Sequence, residues 1–168
     1  MSMVIERAHQ RAARTRASGT TMAAVDLPDF EIEKSRYVLI PPGRYELRFL
    51  NHETAVMFMA PKLVMWFSVV NFGEYFEKIV PRFYNVRRLI GKPGRGGRFM
   101  AKAGGEFILD YYSMFKPGTR LDRLSFDPWR SNIIHGNVGT VTVTGRQRAL
   151  PEPLQYSVIK SFAGVKQL

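Results

Sequence analysis

After an Arg- and Ala-rich beginning, the chain consists of short runs in which apolar and polar residues alternate, separated by Gly and Pro. Residues 43–49 alternate strictly and put Tyr45, Leu47 and Phe49 on one face, with charged residues on the other. A period of two residues is typical of a strand with one buried face. The run 62–70 (KLVMWFSVV) is the most apolar, and its Val and aromatic content predicts a central strand.

One short helix interrupts the strands. Residues 106–116 (EFILDYYSMFK) carry Phe107, Tyr111 and Phe115 at intervals of four residues, and a Pro-Gly pair follows. Further strands are predicted at 79–89, 133–144 and 155–162. The Gly-rich residues before the helix and the stretch around Trp129 after it are predicted to be loops.

The order of these elements predicts a mainly β fold. Three strands, a helix and two strands are typical of an OB-fold-like five-stranded barrel with one short helix between strands 3 and 4. An SH3-like barrel or a small β-sandwich has similar strand content, but neither explains a lone helix at that place as directly. We therefore expect an OB-like domain at residues 36–168, preceded by a flexible basic tail at residues 1–35.

Charge narrows the choice of partner. The 168 residues include 25 Lys and Arg against 14 Asp and Glu, a formal net charge of +11, and Arg outnumbers Lys. Such an excess attracts polyanions, and Arg binds phosphate through paired hydrogen bonds. Nucleic acid is therefore the expected partner, ahead of a membrane surface, for which a Lys-rich amphipathic helix would be typical.

The composition also excludes several classes of protein. The chain contains no cysteine, which rules out disulfides, thiolate nucleophiles and cysteine-bound zinc. No apolar run approaches the ~20 residues of a membrane-spanning helix, and the N-terminus lacks the apolar segment of a signal peptide. These features predict a cytoplasmic protein without a membrane partner.

The N-terminal tail has two interpretations. Its charged residues within the first 24 positions are Glu6, Arg7, Arg11, Arg14 and Arg16. They suit a solvated extension. Translation from an early start codon, with Met22 as the natural start, would also produce such an extension. The alternative is a basic arm that adds phosphate contacts.

The strongest local signal is a basic, Gly-rich segment between Asn85 and Gly105 that contains no acidic residue. Its cations are Arg87, Arg88, Lys92, Arg95, Arg98 and Lys102. A flexible backbone lets guanidinium groups follow an irregular line of phosphates, as Arg-Gly-Gly segments do on single strands. The alternative is a loop kept soluble by its charges. Gly91–Gly97 lacks the Gly-Lys-Ser/Thr ending of a nucleotide triphosphatase loop, so we expect no such site there.

Two aromatic residues are candidates for stacking on bases. Trp66 lies outward if alternate residues from Leu63 lie inward, but so apolar a strand suits a buried ring equally well. Tyr84 is expected to be exposed because Arg82 and Arg88 share its face. The aromatic residues expected in the core are Phe83, Tyr111, Phe115 and Tyr156.

The connection between the last two strands adds Arg146 and Arg148, in a loop that forms one wall of the ligand groove in OB-folds. The alternative is a pair of solvated loop arginines. The complete predicted nucleic-acid-binding set is Arg44, Arg48, Lys62, Trp66, Arg82, Tyr84, Arg87, Arg88, Lys92, Arg95, Arg98, Lys102, Arg146 and Arg148.

Catalytic chemistry has little support in the sequence. His9, His52 and His135 are scattered, and no His or carboxylate grouping has metal-ligand spacing. We therefore expect no catalytic residues, no bound metal and no cofactor.

Several short segments resemble a known family. Pro42-Gly43-Arg44-Tyr45-Glu46 opens the first strand, Lys62-Leu63 and Phe67 lie in the second, and the remaining segments are Pro81–Val86 and Gln155–Ile159. On these segments the chain resembles, over about residues 37–162, the OB-fold single-stranded-DNA-binding proteins of phages and mobile elements. The resemblance implies binding of single strands during replication or recombination. It does not extend to the acidic tail of bacterial housekeeping single-strand binders, because this chain ends Ala163–Leu168.

Together these features predict a non-enzymatic protein that binds single-stranded DNA without sequence preference. RNA and assembly into a homo-oligomer are left open. One alternative is a phage-encoded inhibitor that binds an acidic surface on a host protein. Another is a metal-dependent nuclease built from residues distant in sequence.

Overall fold

The computed structural model describes residues 37–118, 120 and 124–166, so the predicted tail at residues 1–35 lies outside the described part. The elements in chain order are β1 (Gly43–Met57), β2 (Ala60–Val69), β3 (Ile79–Asn85), β4 (Arg88–Ile90), β5 (Gly94–Arg95), β6 (Arg98–Met100), α1 (Glu106–Phe115), α2 (Asp127–Ser131), β7 (Ile133–Val141) and β8 (Tyr156–Val165). The predicted mainly β class is confirmed. The predicted helix is present as α1, but three short strands, β4, β5 and β6, lie between it and the third strand.

The main sheet is antiparallel, with the strand order β3-β2-β1-β7-β8. Three consecutive strands with a fourth that returns beside the first form a Greek key, to which β8 is added. β1 is 15 residues long, and pairs with β7 over its first part and with β2 over most of its length. A register shift between Phe49 and Asn51 marks a β-bulge, which bends β1 and increases its twist.

The two outer strands of this sheet, β3 and β8, approach each other. Arg82 of β3 bridges them, donating from Nη1 to the carbonyl oxygens of Ile159 at 3.3 Å and Lys160 at 2.9 Å. No backbone ladder joins β3 to β8 in the described part of the chain, so a closed barrel is not observed.

The main core lies on one face of the sheet. Leu63, Met65, Phe67 and Val69 of β2 are all fully buried there, which decides the phase of the 62–70 strand. The fold buries the other face of β2 as well, since Trp66 is only 6% exposed. Both faces of β2 are therefore buried, as the prediction of a central strand implies.

The helix prediction is confirmed to within one residue. α1 ends at Phe115, and Lys116 has a left-handed φ of +42° that stops the helix. α1 packs through Phe107 and Tyr111, as the spacing of four residues predicts. Its neighbours are β3 and β8.

Three local predictions are wrong. The stretch around Trp129 is a short helix, α2, because Pro128 suits its first turn and the fully buried indole anchors it. The predicted strand 79–89 divides into β3 and β4, since the chain leaves β2 after Val86 and pairs with β6. The Gly-rich region expected to be a loop, residues 90–105, contains β5 and β6.

No helix in the described ranges combines the length and apolar character that crossing a bilayer requires.

Candidate nucleic-acid interface

Residues 87–102, which we call the basic hairpin, fold back onto the sheet. β4 pairs with β6, and β5 adds to β1 through the partners Glu53 with Arg95 and Thr54 with Gly94. Glycine is required at position 97, where a Cβ atom would lie 2.0 Å from the Thr54 Oγ1 atom. The glycines thus allow close approach of two backbones, and the segment is anchored to β1.

All six cations of the basic hairpin are exposed and lack an acidic partner among the described residues. Arg130 and Lys166, in contrast, are paired with carboxylates: Arg130 lies 3.0 Å from Asp127, and Lys166 lies 2.8 Å from Glu46. Since unpaired positive charges on one short segment attract anions, the basic hairpin is the surface of the described chain best suited to a polyanion.

An aromatic cluster covers the outer face of the sheet, opposite the main core. Tyr37 stacks on Tyr156 of β8 at 4.8 Å between ring centroids and on Trp66 of β2 at 5.8 Å. Phe83 of β3 lies 6.1 Å from the same Tyr37 ring. Phe83 and Tyr156 therefore lie on this face and not in the main core, where we expected them. Both rings and Tyr37 are half-buried, so the cluster is partly open to solvent.

A shallow pocket connects the aromatic cluster with the basic hairpin. It has a volume of about 270 Å³ and is lined by Trp66 and by Arg95 of β5, together with Glu53. Lys62 belongs to the same outer face and donates a hydrogen bond to the Asn85 side chain. The pocket therefore brings together two predicted site residues, Trp66 and Arg95, whereas Lys62 only shares a face of β2 with Trp66. The Trp66 ring is only 6% exposed and stacks on Tyr37, so it is not presented to a base.

The expectation that Tyr84 is exposed is wrong. Its side chain is 1% exposed, and its hydroxyl donates to Asp110 Oδ2 of α1 at 2.8 Å. Burial, and secondarily the negative charge of Asp110, raise the pKa of Tyr84 well above its usual value. The ring also packs edge-on against Phe107, so it is a core residue and is not presented to a base.

Arg82 is likewise placed inward. Its side chain is 13% exposed, and Nη2 lies 3.1 Å from Asp110 Oδ2 and 3.5 Å from Glu106 Oε2. The alternation along β3 correctly grouped Arg82 with Tyr84, but α1 covers that face and supplies carboxylates to it. The guanidinium is therefore occupied by protein contacts.

The remaining predicted cations are exposed or half-buried and lie on different parts of the surface. Arg48 lines a separate pocket with Arg130 and Lys166, and Arg44 is on the same strand. Arg146 and Arg148 lie at the β7–β8 turn, where both backbone N–H groups donate to the side-chain oxygen of residue 144. Residues 149–155, which include a short 3-10 helix at Glu152–Leu154, separate this turn from β8, whose first residue belongs to the aromatic cluster.

Two exposed residues escaped the sequence analysis. Phe58 and Met59 form the two-residue turn between β1 and β2, and are 84% and 99% exposed. Both have left-handed φ values, +53° and +61°, as a type I′ turn requires. Such turns favour Asn-Gly, so the sequence carried no turn signal here. Bulky apolar residues are uncommon in such a strained, solvated position.

Among the described residues no group of three or more His, Asp or Glu side chains could hold a metal ion. Comparisons of the chain with protein-family models, curated proteins and solved structures give no match. The fold and the surface together define this chain as a mainly β protein with an antiparallel Greek-key sheet. It carries a basic hairpin whose exposed cations have no acidic partner among the described residues.

Proposed function

We propose that this protein binds single-stranded nucleic acid, most simply single-stranded DNA, through contacts to phosphates and stacked bases and without sequence preference. The observation that carries the proposal is the basic hairpin, with six exposed cations that have no acidic partner among the described residues. Surface cations that serve only solubility are commonly interspersed with acids, whereas here acids are absent from the whole segment.

The strand order supports an OB-like barrel as the scaffold. A Greek key whose outer strands β3 and β8 approach each other, with a helix between the third and fourth strands of the main sheet, matches a partly open five-stranded barrel. In such barrels the face of strands 2 and 3 binds oligonucleotides together with the loops before strand 2 and before strand 5. Those positions correspond here to the aromatic cluster, the Phe58–Met59 turn and the Arg146–Arg148 turn.

The chemistry of this surface favours single strands over duplex. Exposed bases of a single strand can stack on rings, and each such contact contributes about 1–3 kcal/mol. The bases of a duplex are already stacked on one another and present only phosphates and groove edges. Flat rings beside free cations therefore add affinity mainly for unpaired bases. We propose a role in protecting single strands during replication or recombination of a phage or mobile element.

A second candidate function is inhibition of a host protein through an acidic surface. Its support is the β2–β3 connection, where Phe72 is 94% exposed and stacks on Phe76 at 5.5 Å between centroids. Exposed aromatic residues are typical of protein interfaces. In that case the basic hairpin would meet carboxylates instead of phosphates.

The deciding experiment measures binding of the full chain to labelled oligonucleotides by fluorescence anisotropy. Single-stranded DNA, its duplex and the matching RNA are titrated at several salt concentrations, with and without Mg²⁺. We expect single-strand affinity to exceed duplex affinity and log K to fall by about 3–4 per unit of log salt, from ~0.7 counterion per phosphate over four to six phosphates. Absence of any binding would favour the inhibitor function, and cleavage with Mg²⁺ would favour a nuclease.

A further inference from the structure

A second cavity, distinct from the outer face of the sheet, lies beneath the basic hairpin. It has a volume of about 410 Å³ and is walled by β1, the basic hairpin, α1 and residues 124–126. This volume lies within the range of about 300–1,000 Å³ that is typical of small-ligand sites.

Five aromatic rings line this cavity: Tyr111 and four that we call the aromatic box, His52, Phe99, Phe107 and Phe126. Phe126 stacks on His52 with 4.3 Å between centroids and 11° between planes. Phe99 meets Phe107 edge-on at 5.5 Å and also approaches His52 at 6.2 Å. Phe107 is buried, whereas the other three rings are only half-buried, so the box is open on one side.

His52 behaves as a neutral ring in this box. Burial lowers its pKa, and the nearby charge of Arg130 acts in the same direction, although a hydrogen bond to the Gly97 carbonyl oxygen opposes both. That bond runs from Nε2 over 3.1 Å and ties the box to the backbone of the basic hairpin. At neutral pH the imidazole therefore presents a flat, uncharged face.

The cavity also has a cation at its edge. Arg98, one of the six unpaired cations of the basic hairpin, lines it and is exposed. Phe99, the next residue on β6, belongs to the aromatic box. A flat apolar box next to a guanidinium matches a flat ring joined to an anion, because rings stack on rings and Arg binds phosphate bidentately.

We propose that this cavity binds one nucleobase together with its phosphate, with the base against the aromatic box and the phosphate at Arg98. If the base belongs to a bound strand, the inference rests on the proposed function. In that case the basic hairpin holds the phosphate backbone of the strand at the rim of the cavity, and one base enters it. A free nucleotide offers the same chemistry. Stacking needs only a flat face, so the site accepts any base.

The test uses the full chain and an oligothymidine strand that carries a single 2-aminopurine, whose emission falls when it stacks. Ala101 lines the cavity, and Ala101→Leu fills part of it without changing any charge. The matched control is Ala103→Leu, the same change two residues along the same segment and outside the cavity. A second arm titrates the free 2-aminopurine nucleotide into each protein.

In the wild type and in Ala103→Leu we expect quenched emission. Ala101→Leu should lose the quenching and bind the strand at least about fivefold more weakly, with the salt slope unchanged. Because the leucine could disturb β6, the exposed Arg98→Gln serves as a second variant, which should weaken nucleotide binding without shifting the thermal transition. Equal quenching and equal affinity in all four proteins would overturn the cavity assignment alone. Failure of every protein to bind the strand, with free nucleotide bound by wild type but not by Ala101→Leu, would overturn the proposed function and support the cavity.

Discussion

Arg82 of β3 and Asp110 of α1 form an ion pair at 3.1 Å in which both side chains are mostly buried. The same guanidinium donates to two carbonyl oxygens of β8, so one side chain connects the sheet's two outer strands to the helix. The same carboxylate accepts the hydroxyl of Tyr84. This pair takes the place of a backbone ladder between β3 and β8 in the described chain.

The first prediction concerns this ion pair. Asp110→Asn removes the charge that compensates Arg82, and we expect the free energy of unfolding to fall by about 1–3 kcal/mol, because a partly buried guanidinium is left without its closest carboxylate. Urea unfolding followed by tryptophan fluorescence measures the change. Asp127→Asn is the matched control, since its partner Arg130 and Asp127 itself are exposed, at 58% and 75% of their side chains. The control should change stability by less than about 0.5 kcal/mol, and equal effects in both variants would contradict the proposed importance of the pair.

A second prediction distinguishes direct contacts between the basic hairpin and phosphates from attraction by the net positive charge of the whole protein. Arg95→Ala combined with Arg98→Ala removes two unpaired cations, and we expect the slope of log K against log salt to flatten by about 1.4, because each phosphate that is no longer neutralised accounts for ~0.7 counterion. Relative affinities for different sequences should stay the same, because phosphate contacts carry no base information.

The control for that experiment is Arg130→Ala combined with Lys166→Ala, which lowers the net charge by the same amount but removes cations already paired with carboxylates. Its slope should remain close to the wild-type value. If both double variants flatten the slope equally, the protein's overall field rather than the basic hairpin attracts the strand.

The third prediction uses the strained turn between β1 and β2. Replacing Phe58 by Asn and Met59 by Gly should raise the free energy of unfolding by about 1–2 kcal/mol, because both positions have left-handed φ values that suit the new residues. If the apolar tip stacks on bases, the same variant should bind single strands at least about fivefold more weakly. Thermal unfolding and anisotropy measure the two effects. Phe72→Ala removes another exposed ring and should leave affinity unchanged; a stabilised turn variant with full affinity would exclude the tip from the interface.

A fourth prediction concerns pH. The pKa of His52 is lowered in the folded protein, chiefly by burial, so below about pH 6.5 the unfolded chain takes up a proton that the folded protein does not. The contribution of His52 to the free energy of unfolding is therefore fully present above about pH 6.5, and it declines as the pH falls toward the lowered pKa. Urea midpoints measured between about pH 7.5 and pH 5 should show the decline. His52→Gln should lose that part of the pH dependence, and an unchanged profile in the variant would refute the assignment.

Local signals in the sequence determined much of the fold. The spacing of Phe107 and Tyr111 specified α1, and the alternation in residues 43–49 specified β1, because side-chain direction follows directly from backbone period. The Val and aromatic content of residues 62–70 specified β2 as a central strand. The absence of acids between Asn85 and Gly105 likewise indicated an unpaired basic surface before any contact was known.

Only the tertiary structure decided which side of each strand is buried. Alternation grouped Arg82 with Tyr84, but the position of α1 turned that face into the interior and gave both residues Asp110 as a partner. Trp66 remained undecided for the same reason, since Tyr37, far away in the sequence, covers its ring. The aromatic box depends on residues that are even farther apart in the sequence. His52 of β1 stacks on Phe126, just before α2, and the two rings meet only because the fold brings residue 126 back beside β1. A period in the sequence fixes relative directions along one element, whereas burial and cavities depend on which other elements pack against it.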